Sequence, residues 1–432
     1  MDSKNLKGRR NFVKKSTSAA LGGVLLSAFP NIAHAHLYGA ETIRIGLVGC
    51  GGRGTGALFE ALKASPSVRV VAIADAFKDK ADATLELLEK NFKDQCDLTR
   101  ETTFVGLDAF KNVINLCDAV ILATPPPFRP QHFELCVKAG KHVFMEKPLA
   151  VDVAGFKKIM ETGKLADEKK LNVVVGLQFR YDVGNRETVS RIHDGEIGNI
   201  NTISTYYNVG TPKVHQRQHQ QTEFEYQMRN WRYFNWLWGG QLAGQAIHQI
   251  DMMNWVMNDF PIKALGNGGR LVYEGVENGD AYDHFSIEFE YSNGVKMHSQ
   301  CRNMNHCTNR MGWEIRGSKA LANERNQFYD FNGKTIWRYR NPEDLGATQI
   351  EQNVFIESIL KGNYINNTEY GAKSTLTTIM GRLAAETGQE ITVEELLDSN
   401  ETIVPEMDWD TKSVKFPDDN GNYPIPKPGI KM

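Results

Sequence analysis

The sequence predicts an α/β protein with an N-terminal doubly wound parallel sheet and a C-terminal α+β domain on a large, mostly antiparallel open sheet. Three observations predict this fold class. From Thr42 to about Leu149, short apolar runs alternate with helical segments, as in a parallel sheet covered on both faces. A glycine-rich turn follows the first of these runs. Beyond about residue 200 the chain consists mainly of long β-rich runs.

The elements of the first domain follow in order along the chain. The predicted strands are near-continuous stretches of Val, Ile and Ala, namely "IRIGLV", "VRVVAIAD", "DAVILAT" and "HVFME". The predicted helices between them are "RGTGALFEALKA", "KDKADATLELLEKNF" and "RPQHFELCVKAG", the last ending at Gly140. This alternation is the doubly wound plan.

The second domain is predicted from β-rich runs and three helices. The runs are "NTISTYYNV", "AYDHFSIEFEYSNGVKMHSQCR" and "GWEIRGSKALANERNQFYDFNGKTIWRY", and a tight turn is expected at Asn293-Gly294. The helices are "GQAIHQIDMMNWVM", "EQNVFIESILK" and "KSTLTTIMGRLAAETG". The predicted boundaries are 1–35 for an export peptide, 36–165 and 166–395 for the two domains, and 396–432 for an extended tail.

Composition excludes several classes of protein. The chain has 432 residues and a net charge of −2, so no basic excess points to nucleic acid. No C-x-x-C pair occurs among its six cysteines, which argues for buried free thiols and against a disulfide framework or a zinc site.

The N-terminus resembles a twin-arginine export signal. Arg9 and Arg10 precede an apolar stretch, and "AHA" at Ala33–Ala35 offers a cleavage site. The apolar run is too short for a transmembrane helix, which needs about 20 residues. We therefore expect a periplasmic protein that the twin-arginine machinery exports already folded, and a bound cofactor is a common reason for that route.

A dinucleotide site is predicted where the first strand ends. Gly49, Gly51 and Gly54 have G-x-G-x-x-G spacing between a strand and a helix. These glycines, with Gly52, let pyrophosphate approach the helix N-terminus, and Arg53 offers a contact to phosphate or ribose. Asp75 ends the second strand, where a carboxylate binds ribose hydroxyls and repels a 2′-phosphate, which favours NAD over NADP.

Three further motifs resemble the Gfo/Idh/MocA oxidoreductases. They are "GKHVFMEKPLA", "ATPPPFRPQH" and "GGQLAGQAIHQIDMMNW", and the resemblance covers about residues 42 to 390. It implies a Rossmann domain, a second domain whose open sheet often mediates homo-oligomers, and hydride transfer between a sugar-like alcohol carbon and NAD(P).

The resemblance also implies roles for individual residues. Lys147 matches the catalytic lysine and His248 the helix histidine near the reacting carbon, and the bond to Pro148 is often cis in the family. Asp251 is expected either to orient His248 or to pair locally. The cofactor contacts implied by the first two motifs are Thr124, Pro125, Pro126, His132, Glu146 and Lys147.

One position departs from the family pattern. Four residues before His248 the family usually has an aspartate that helps in acid/base work, whereas this chain has Gly244 followed by Gln245. Either Lys147 and His248 suffice, or another group substitutes. The candidates lie in the Gln-rich stretch 215–227, called here the polar insert: His215, His219, Glu223 and Tyr226. No metal is expected, because a pair of histidines without further ligands is a weak signal.

Several side chains are candidates for binding a carbohydrate. Aromatic faces suit the apolar face of a pyranose, and "NWRYFNWLWGG" supplies four of them. If the side chains alternate, Trp236 and Trp238 face inward and Tyr233 faces the other way. The predicted substrate contacts are Arg180, Tyr181, Tyr226, Trp231, Tyr233, Gln245 and His248.

These observations together predict an exported enzyme that keeps its NAD, since little free NAD exists outside the cytoplasm. The leading hypothesis is an oxidoreductase that oxidises a secondary hydroxyl of a sugar or glycoside, for example at C3, and then reduces a second carbohydrate. The first alternative is a redox-neutral glycoside hydrolase in which a transient ketone allows elimination and hydration. The second alternative is a sugar-binding protein that retains NAD without catalysis.

Overall fold

The fold is described from a computed structural model of the chain, for residues 42–409 and 414–429. The predicted export peptide lies outside these residues. The described residues belong to one compact unit, which contains both predicted domains. Among the described residues, no helix is long and apolar enough to span a bilayer.

The first domain contains the predicted parallel sheet, with six strands in the described part of the chain. Their order is β3-β2-β1-β4-β5-β6, and every pairing is parallel. The strands are β1 (Ile43–Val48), β2 (Val68–Asp75), β3 (Thr103–Val105), β4 (Ala119–Leu122), β5 (His142–Met145) and β6 (Val173–Val175). The helices that cover them are α1 (Gly52–Ala64), α2 (Lys78–Asn91), α3 (Phe110–Leu116), α4 (Arg129–Lys138) and α5 (Val153–Glu168). The doubly wound plan is confirmed, and its last strand, β6, lies beyond residue 165, where the first domain is predicted to end.

The second domain contains an open sheet of nine strands, counted over the described residues. The strands are β7 (Ile200–Val209), β8 (Lys263–Gly269), β9 (His284–Glu290), β10 (Lys296–Asn303), β11 (Arg310–Gly317), β12 (Leu321–Asn323), β13 (Gln327–Tyr329), β14 (Thr335–Arg338) and β15 (Ile391–Thr392). Their order is β14-β13-β12-β11-β7-β10-β9-β8-β15. Only β7 and β10 pair in parallel, so the prediction of a mostly antiparallel sheet is confirmed.

Seven α-helices follow the parallel sheet in the described part of the chain, and some of them pack on the open sheet whereas others pack against the first domain. They are α6 (Val183–His193), α7 (Glu223–Arg229), α8 (Asn235–Trp238), α9 (Ile247–Met257), α10 (Ala347–Lys361), α11 (Thr368–Thr387) and α12 (Val393–Asp398). The predicted helix from Gly244 differs in its first turn, because Leu242–Ala246 forms a π-helix before α9 begins.

The predicted hairpin turn lies between β9 and β10. The backbone N–H of Gly294 donates to the carbonyl of Tyr291, and Gly294 has a φ of +84°, which glycine adopts without strain. Apolar side chains of both domains, such as Phe133 and Phe289, belong to one continuous core. That shared core fixes the carboxyl ends of the parallel strands against the second domain.

Candidate active site

A cavity of about 910 Å³ lies at the carboxyl ends of β1, β2, β4 and β5. The first domain forms one wall with the glycine turn, the end of β2 and the segments after β4 and β5. The second domain forms the opposite wall with Tyr207 of β7, the polar insert, residues 228–233 and the π-helix. The cavity is therefore enclosed by both domains at the edge where doubly wound sheets bind ligands.

The glycine turn leaves open space at the N-terminus of α1. Gly49 has a φ of +100°, and a Cβ atom there would lie 2.7 Å from the backbone of Thr124. A Cβ on Gly54 would lie 2.0 Å from the carbonyl oxygen of Gly49, so only glycine fits the contact between helix and strand. A Cβ added at position 51 or 52 would have no neighbouring atom within 4 Å, and both glycines border the cavity. This turn fits the pyrophosphate of a dinucleotide.

Asp75 lines the cavity at the end of β2, as predicted for a ribose contact. Its carboxylate accepts hydrogen bonds from the backbone N–H groups of Cys50 at 2.7 Å and Phe77 at 2.9 Å. Burial raises the pKa of this carboxyl group. The two backbone bonds hold the side chain against the glycine turn, where each oxygen retains a lone pair for a ribose hydroxyl.

Arg53 lines the cavity but is engaged by three carboxylates. Its guanidinium pairs with Glu146 at 2.5 Å, with Glu351 at 2.9 Å and with Glu60 at 3.1 Å. Burial raises the pKa of Glu351 well above its ordinary value, and the negative charge of Glu146 acts in the same direction. This network ties α1, the turn after β5 and α10 together behind the glycine turn.

The segment after β4 forms the floor of the cavity. Thr124, Pro125, Pro126 and His132 all line it. The His132 ring stacks on Phe110 at 4.0 Å, and burial lowers the pKa of His132 to about 3, so the imidazole is neutral. Its Nε2 atom is buried without a hydrogen-bond partner among the described residues, which leaves a polar atom for a ligand.

Lys147 points into the cavity from the turn after β5. The peptide bond between Lys147 and Pro148 is cis, and the buried Arg129 guanidinium donates to the carbonyl groups of Pro148 and Thr124. The Lys147 Nζ atom donates to the Gly244 carbonyl at 2.8 Å. Burial lowers the pKa of Lys147 to about 8, with Arg129, Arg53 and Arg232 acting in the same direction and Glu146 opposing them.

Trp238 explains why glycine occupies position 244. A Cβ atom on Gly244 would lie 1.8 Å from Nε1 and 2.0 Å from Cε2 of the Trp238 indole. The indole therefore fills the space that a side chain at position 244 would need. Both residues line the cavity, and the π-helix presents the Gly244 carbonyl to Lys147.

His248 lies in the first turn of α9, one turn beyond Gly244. Burial lowers its pKa well below the ordinary value, and the positive charges of Lys147 and Arg53 add to that effect. Its Nδ1 atom is buried without a partner in the described part of the chain. Asp251 does not bond this ring, because Arg180 holds both of its oxygens at 2.8 and 2.9 Å.

The aromatic segment before the π-helix differs from the alternation expected of a strand. Residues 231–233 form a 3₁₀ turn and α8 follows, so Tyr233, Trp236 and Trp238 are all buried. Trp231 and Trp238 make an edge contact with ring centroids 6.3 Å apart, and both line the cavity together with Tyr233. Trp236 points away from it and donates from Nε1 to Gln227 at 2.6 Å.

The structure brings some predicted substrate contacts together and not others. Trp231, Tyr233 and Gln245 line the cavity. Arg180, Tyr181, Tyr226 and His248 are not among its lining residues. Arg180 pairs with Asp251, and the Tyr181 hydroxyl donates to Asn367 at 2.6 Å.

The polar insert borders the cavity as a loop followed by α7. His215 and four neighbours line the wall, namely Gln216, Arg217, Gln218 and Gln221. Glu223 instead pairs with Arg217 at 2.6 Å. His215 and His219 do not share a helical face. Among the described residues, no group of three or more His, Cys, Asp or Glu side chains is arranged to hold a metal ion.

Two family profiles match the chain. Residues 43–177 match the oxidoreductase family with an NAD-binding Rossmann fold, Gfo/Idh/MocA, and residues 186–323 match a C-terminal domain of the same family. An inositol 2-dehydrogenase of Rhizobium meliloti is 24% identical over 254 residues, which are 59% of this chain and 66% of that protein. An inositol 2-dehydrogenase of Salmonella typhimurium is 28% identical over 224 residues, 50% of this chain and 55% of that protein. The matched region therefore spans less than two thirds of these curated relatives.

Solved structures share the fold. The aldose-aldose oxidoreductase of Caulobacter crescentus in complex with glycerol superposes with a TM-score of 0.64 at 16% identity, covering 82% of this chain and 100% of that one. The scyllo-inositol dehydrogenase of Lactobacillus casei with bound NAD(H) and scyllo-inositol superposes with a TM-score of 0.62 at 22% identity. That match covers 82% of this chain and 99% of the other.

Proposed function

Because the chain belongs to the Gfo/Idh/MocA oxidoreductase family, we propose that it transfers hydride between NAD and a secondary hydroxyl-bearing carbon of a sugar or glycoside. The observation that carries this proposal is the position of Lys147. Its ammonium group enters the cavity between the glycine turn and the aromatic wall, with a pKa lowered to about 8 by burial. A lysine in that range exchanges protons near neutral pH.

The proton chemistry rests on this chain's own side chains. When bound, NAD supplies the hydride acceptor. Neutral Lys147 donates one N–H to the Gly244 carbonyl and keeps its lone pair for the proton of the substrate hydroxyl. Neutral His248, predicted as a second catalytic residue, has a buried Nδ1 without a partner among the described residues but does not line the cavity, so no contact with the reacting carbinol is assigned to it. Trp231 and Trp238 offer aromatic surface to the apolar face of a pyranose.

We also propose that the cofactor stays bound between turnovers. The polar insert lies along the cavity and is fastened to the first domain by α7. The Arg229 guanidinium pairs with Asp79 of α2 at 3.2 Å and lies 4.0 Å from the Phe77 ring centroid. The Phe77 ring in turn contacts Trp409 of the C-terminal segment at 5.7 Å. These contacts cross the cavity near Asp75 and oppose release of a dinucleotide.

Retention of NAD accounts for the export signal expected from the sequence. A protein that leaves the cytoplasm by the twin-arginine route folds first, so the cofactor is inserted before export. Every hydride taken up in the periplasm must then be returned at the same site. A second carbohydrate is the simplest hydride acceptor, which makes the proposed reaction a ping-pong exchange.

Redox-neutral glycoside hydrolysis is the second candidate function, and it needs an acid/base pair beside Lys147. The carboxylates among the described lining residues are Asp75, Asp79 and Glu146. Asp79 pairs with Arg229 and Glu146 with Arg53, and Asp75 accepts from the glycine turn. The remaining candidates among the described lining residues are histidines and tyrosines, such as His215 and Tyr207. This charge distribution favours the oxidoreductase over the hydrolase.

For the test, the protein is expressed with its export signal intact and recovered after export. No NAD is added to the assay. A panel of neutral and acidic glucosides and galactosides is supplied with and without a second sugar, and the products are identified by mass spectrometry. The oxidoreductase predicts a product two hydrogens lighter that accumulates beyond one equivalent only with an acceptor sugar. Free reducing sugar without an acceptor means hydrolysis, and no product from any sugar means a binding protein.

A further inference from the structure

The carboxylates that line the cavity all lie at one of its two ends. Among the described lining residues, Asp75, Asp79 and Glu146 lie on the first domain, where the dinucleotide site is predicted. The opposite end, called here the substrate half, is lined by Lys147, Tyr207, Lys213, Trp231, Arg232, Tyr233, Trp238, Gly244 and Gln245. It holds three cationic side chains and no Asp or Glu within the part of the chain that the structure describes.

Most cations around the cavity already have a partner in the protein. Arg53, Arg217 and Arg229 are each paired with a carboxylate, and Lys147 donates to a carbonyl. Three lining cations make neither a salt bridge nor a side-chain hydrogen bond to any described residue: Lys80 beside the dinucleotide site, and Lys213 and Arg232 in the substrate half. The Arg232 guanidinium lies 5.1 Å from the Trp231 ring centroid, a cation–π contact that leaves its N–H donors open to the cavity.

Hydrogen bonds hold Lys213 and Arg232 on one wall. The Tyr233 hydroxyl donates to the Pro212 carbonyl at 2.5 Å. The backbone N–H of His215 donates to Asn230 at 2.7 Å, and the Asn230 amide donates back to the His215 carbonyl at 2.9 Å. Residues 212–215 are therefore fastened alongside residues 230–233. The charge of Arg232 lowers the pKa values of both Lys147 and His215, after the larger effect of burial, so Arg232 is within electrostatic reach of both.

The glycine at position 244 also makes the substrate half more positive. The resemblance to the family predicts an aspartate there, beside the reacting carbon, and this chain has glycine with the Trp238 indole in the space. An aspartate in the substrate half would repel an anionic ligand and would pair with Lys147 or Arg232. Its absence leaves the substrate half with a positive field that a neutral sugar would not balance.

We propose that the substrate carries an anionic group, a carboxylate or phosphate on the sugar, and that Arg232 binds it with Lys213 beside it. This inference rests on the proposed function and specifies its substrate class. The planar guanidinium binds two oxygens of such a group at once, which fixes the sugar relative to Lys147. Arg232 is thus a specificity-determining residue, and Lys147 acts on the hydroxyl.

The experiment compares three matched substrates on the NAD-loaded enzyme: a methyl glucoside, the methyl glucuronide, and the methyl glucoside 6-phosphate. We expect kcat/KM to be roughly 30-fold higher for one of the anionic substrates than for the neutral one. Arg232→Gln should remove most of that preference through KM, and Arg232→Lys should restore part of it. Arg100→Gln, an exposed arginine outside the cavity, serves as the matched control and should keep the preference.

A binding measurement separates this inference from the proposed function. Calorimetry on the Lys147→Met variant measures glucuronide and glucoside affinity without turnover. If Lys147→Met binds the glucuronide more tightly than the glucoside and Lys147→Met/Arg232→Gln does not, the anion site is supported. That result stands even if the parent enzyme oxidises no sugar, an outcome that would contradict only the proposed function. The inference is overturned if the neutral glucoside is oxidised and bound as strongly as the glucuronide, and if Arg232→Gln changes the affinity for both by the same factor. The proposed function would then still stand.

Discussion

The Nζ atom of Lys147 donates a hydrogen bond of 2.8 Å to the carbonyl oxygen of Gly244, 97 residues further along the chain. A main-chain carbonyl can orient the lysine but cannot take up a proton or carry a negative charge. Lys147 is therefore held in place by a neutral acceptor, and the nearby charge of Glu146 opposes the larger effect of burial only in part. This agrees with a pKa lowered to about 8 by burial.

The first prediction concerns the pH dependence of alcohol oxidation. Below about pH 8 Lys147 is protonated and cannot accept the substrate proton, and above it the amine is neutral. The kcat/KM for oxidation should therefore rise with pH through about 8, and the reverse reduction should fall over the same range. Lys147→Met should lower kcat by about 100-fold or more at every pH, whereas Lys334→Gln should change nothing. A flat profile from about pH 6.5 to 9.5 would contradict the assignment.

The second prediction concerns the contact between Gly244 and Trp238. Gly244→Ala puts a methyl group 1.8 Å from the indole Nε1, so it should destabilise the fold by about 1–3 kcal/mol. Gly56→Ala is the matched control, because a Cβ added to this helical glycine would have no neighbour within 4 Å beyond its own helix backbone and adjacent residues. This substitution should raise the free energy of unfolding by about 0.5–1 kcal/mol.

Urea unfolding of Gly244→Ala, Trp238→Leu and the double variant measures the coupling. The double variant should be less destabilised than the sum of the singles, by roughly 0.5–3 kcal/mol, because removing the indole makes room for the methyl group. Additive effects would show that the indole does not exclude side chains from position 244.

The third prediction concerns release of the cofactor. Arg229→Gln removes the pair with Asp79 and the stacking on Phe77, so bound NAD should dissociate about fivefold faster. Asp79→Asn should act in the same direction, and Lys334→Gln should not. Release is followed by the fluorescence of bound reduced nicotinamide after a chase with excess NAD. An unchanged rate in both variants would argue that the polar insert does not retain the cofactor.

The fourth prediction concerns acid stability. His132 has a folded-state pKa of about 3, whereas an unfolded histidine titrates near about 6.5. Below about pH 6.5 only the unfolded chain takes up this proton, so the free energy of unfolding falls as the pH drops. Between about pH 7 and 5, His132 alone should lower the free energy of unfolding by about 2 kcal/mol.

His132→Gln should reduce that pH dependence by a similar amount, whatever its effect on stability at neutral pH. The exposed His219→Gln variant is the control and should retain the slope of the parent protein. Equal slopes for the parent and His132→Gln, measured by denaturant unfolding, would mean that His132 is protonated in the folded state.

Local patterns predict most of the fold and the cofactor half of the cavity. The glycine turn, Asp75 and the segment from Thr124 to Pro126 are defined by short spacings around strand ends, and strand ends of one parallel sheet meet at one edge. The hairpin at Gly294 is likewise encoded by a dipeptide. Such signals need no knowledge of distant contacts.

The remaining features depend on contacts between distant residues. Nothing near Arg53 in sequence indicates its pairing with Glu351, 298 positions away. The parallel pairing of β7 with β10 and the π-helix before α9 also depend on packing across the second domain. The sequence predicts that Arg180 contacts the substrate, whereas in the structure its guanidinium donates to Asp251.

The place of Trp238 in the site is not predictable from the sequence for a similar reason. Its helix, its edge contact with Trp231 and its position over Gly244 become visible only once α8 is folded. Sequence alone therefore identifies the altered residue at 244, but not the side chain that occupies the space of the expected carboxylate.

The most direct test of hydride transfer with a retained cofactor is the near-ultraviolet absorbance of exported, dialysed protein during a single turnover. A glycoside is added without NAD, and bound cofactor is quantified beforehand by mass spectrometry. The account predicts one reduced nicotinamide per bound cofactor in the parent protein and none in Lys147→Met. Absence of reduction in NAD-loaded protein by every sugar, or reduction only after NAD is added to the medium, would contradict it.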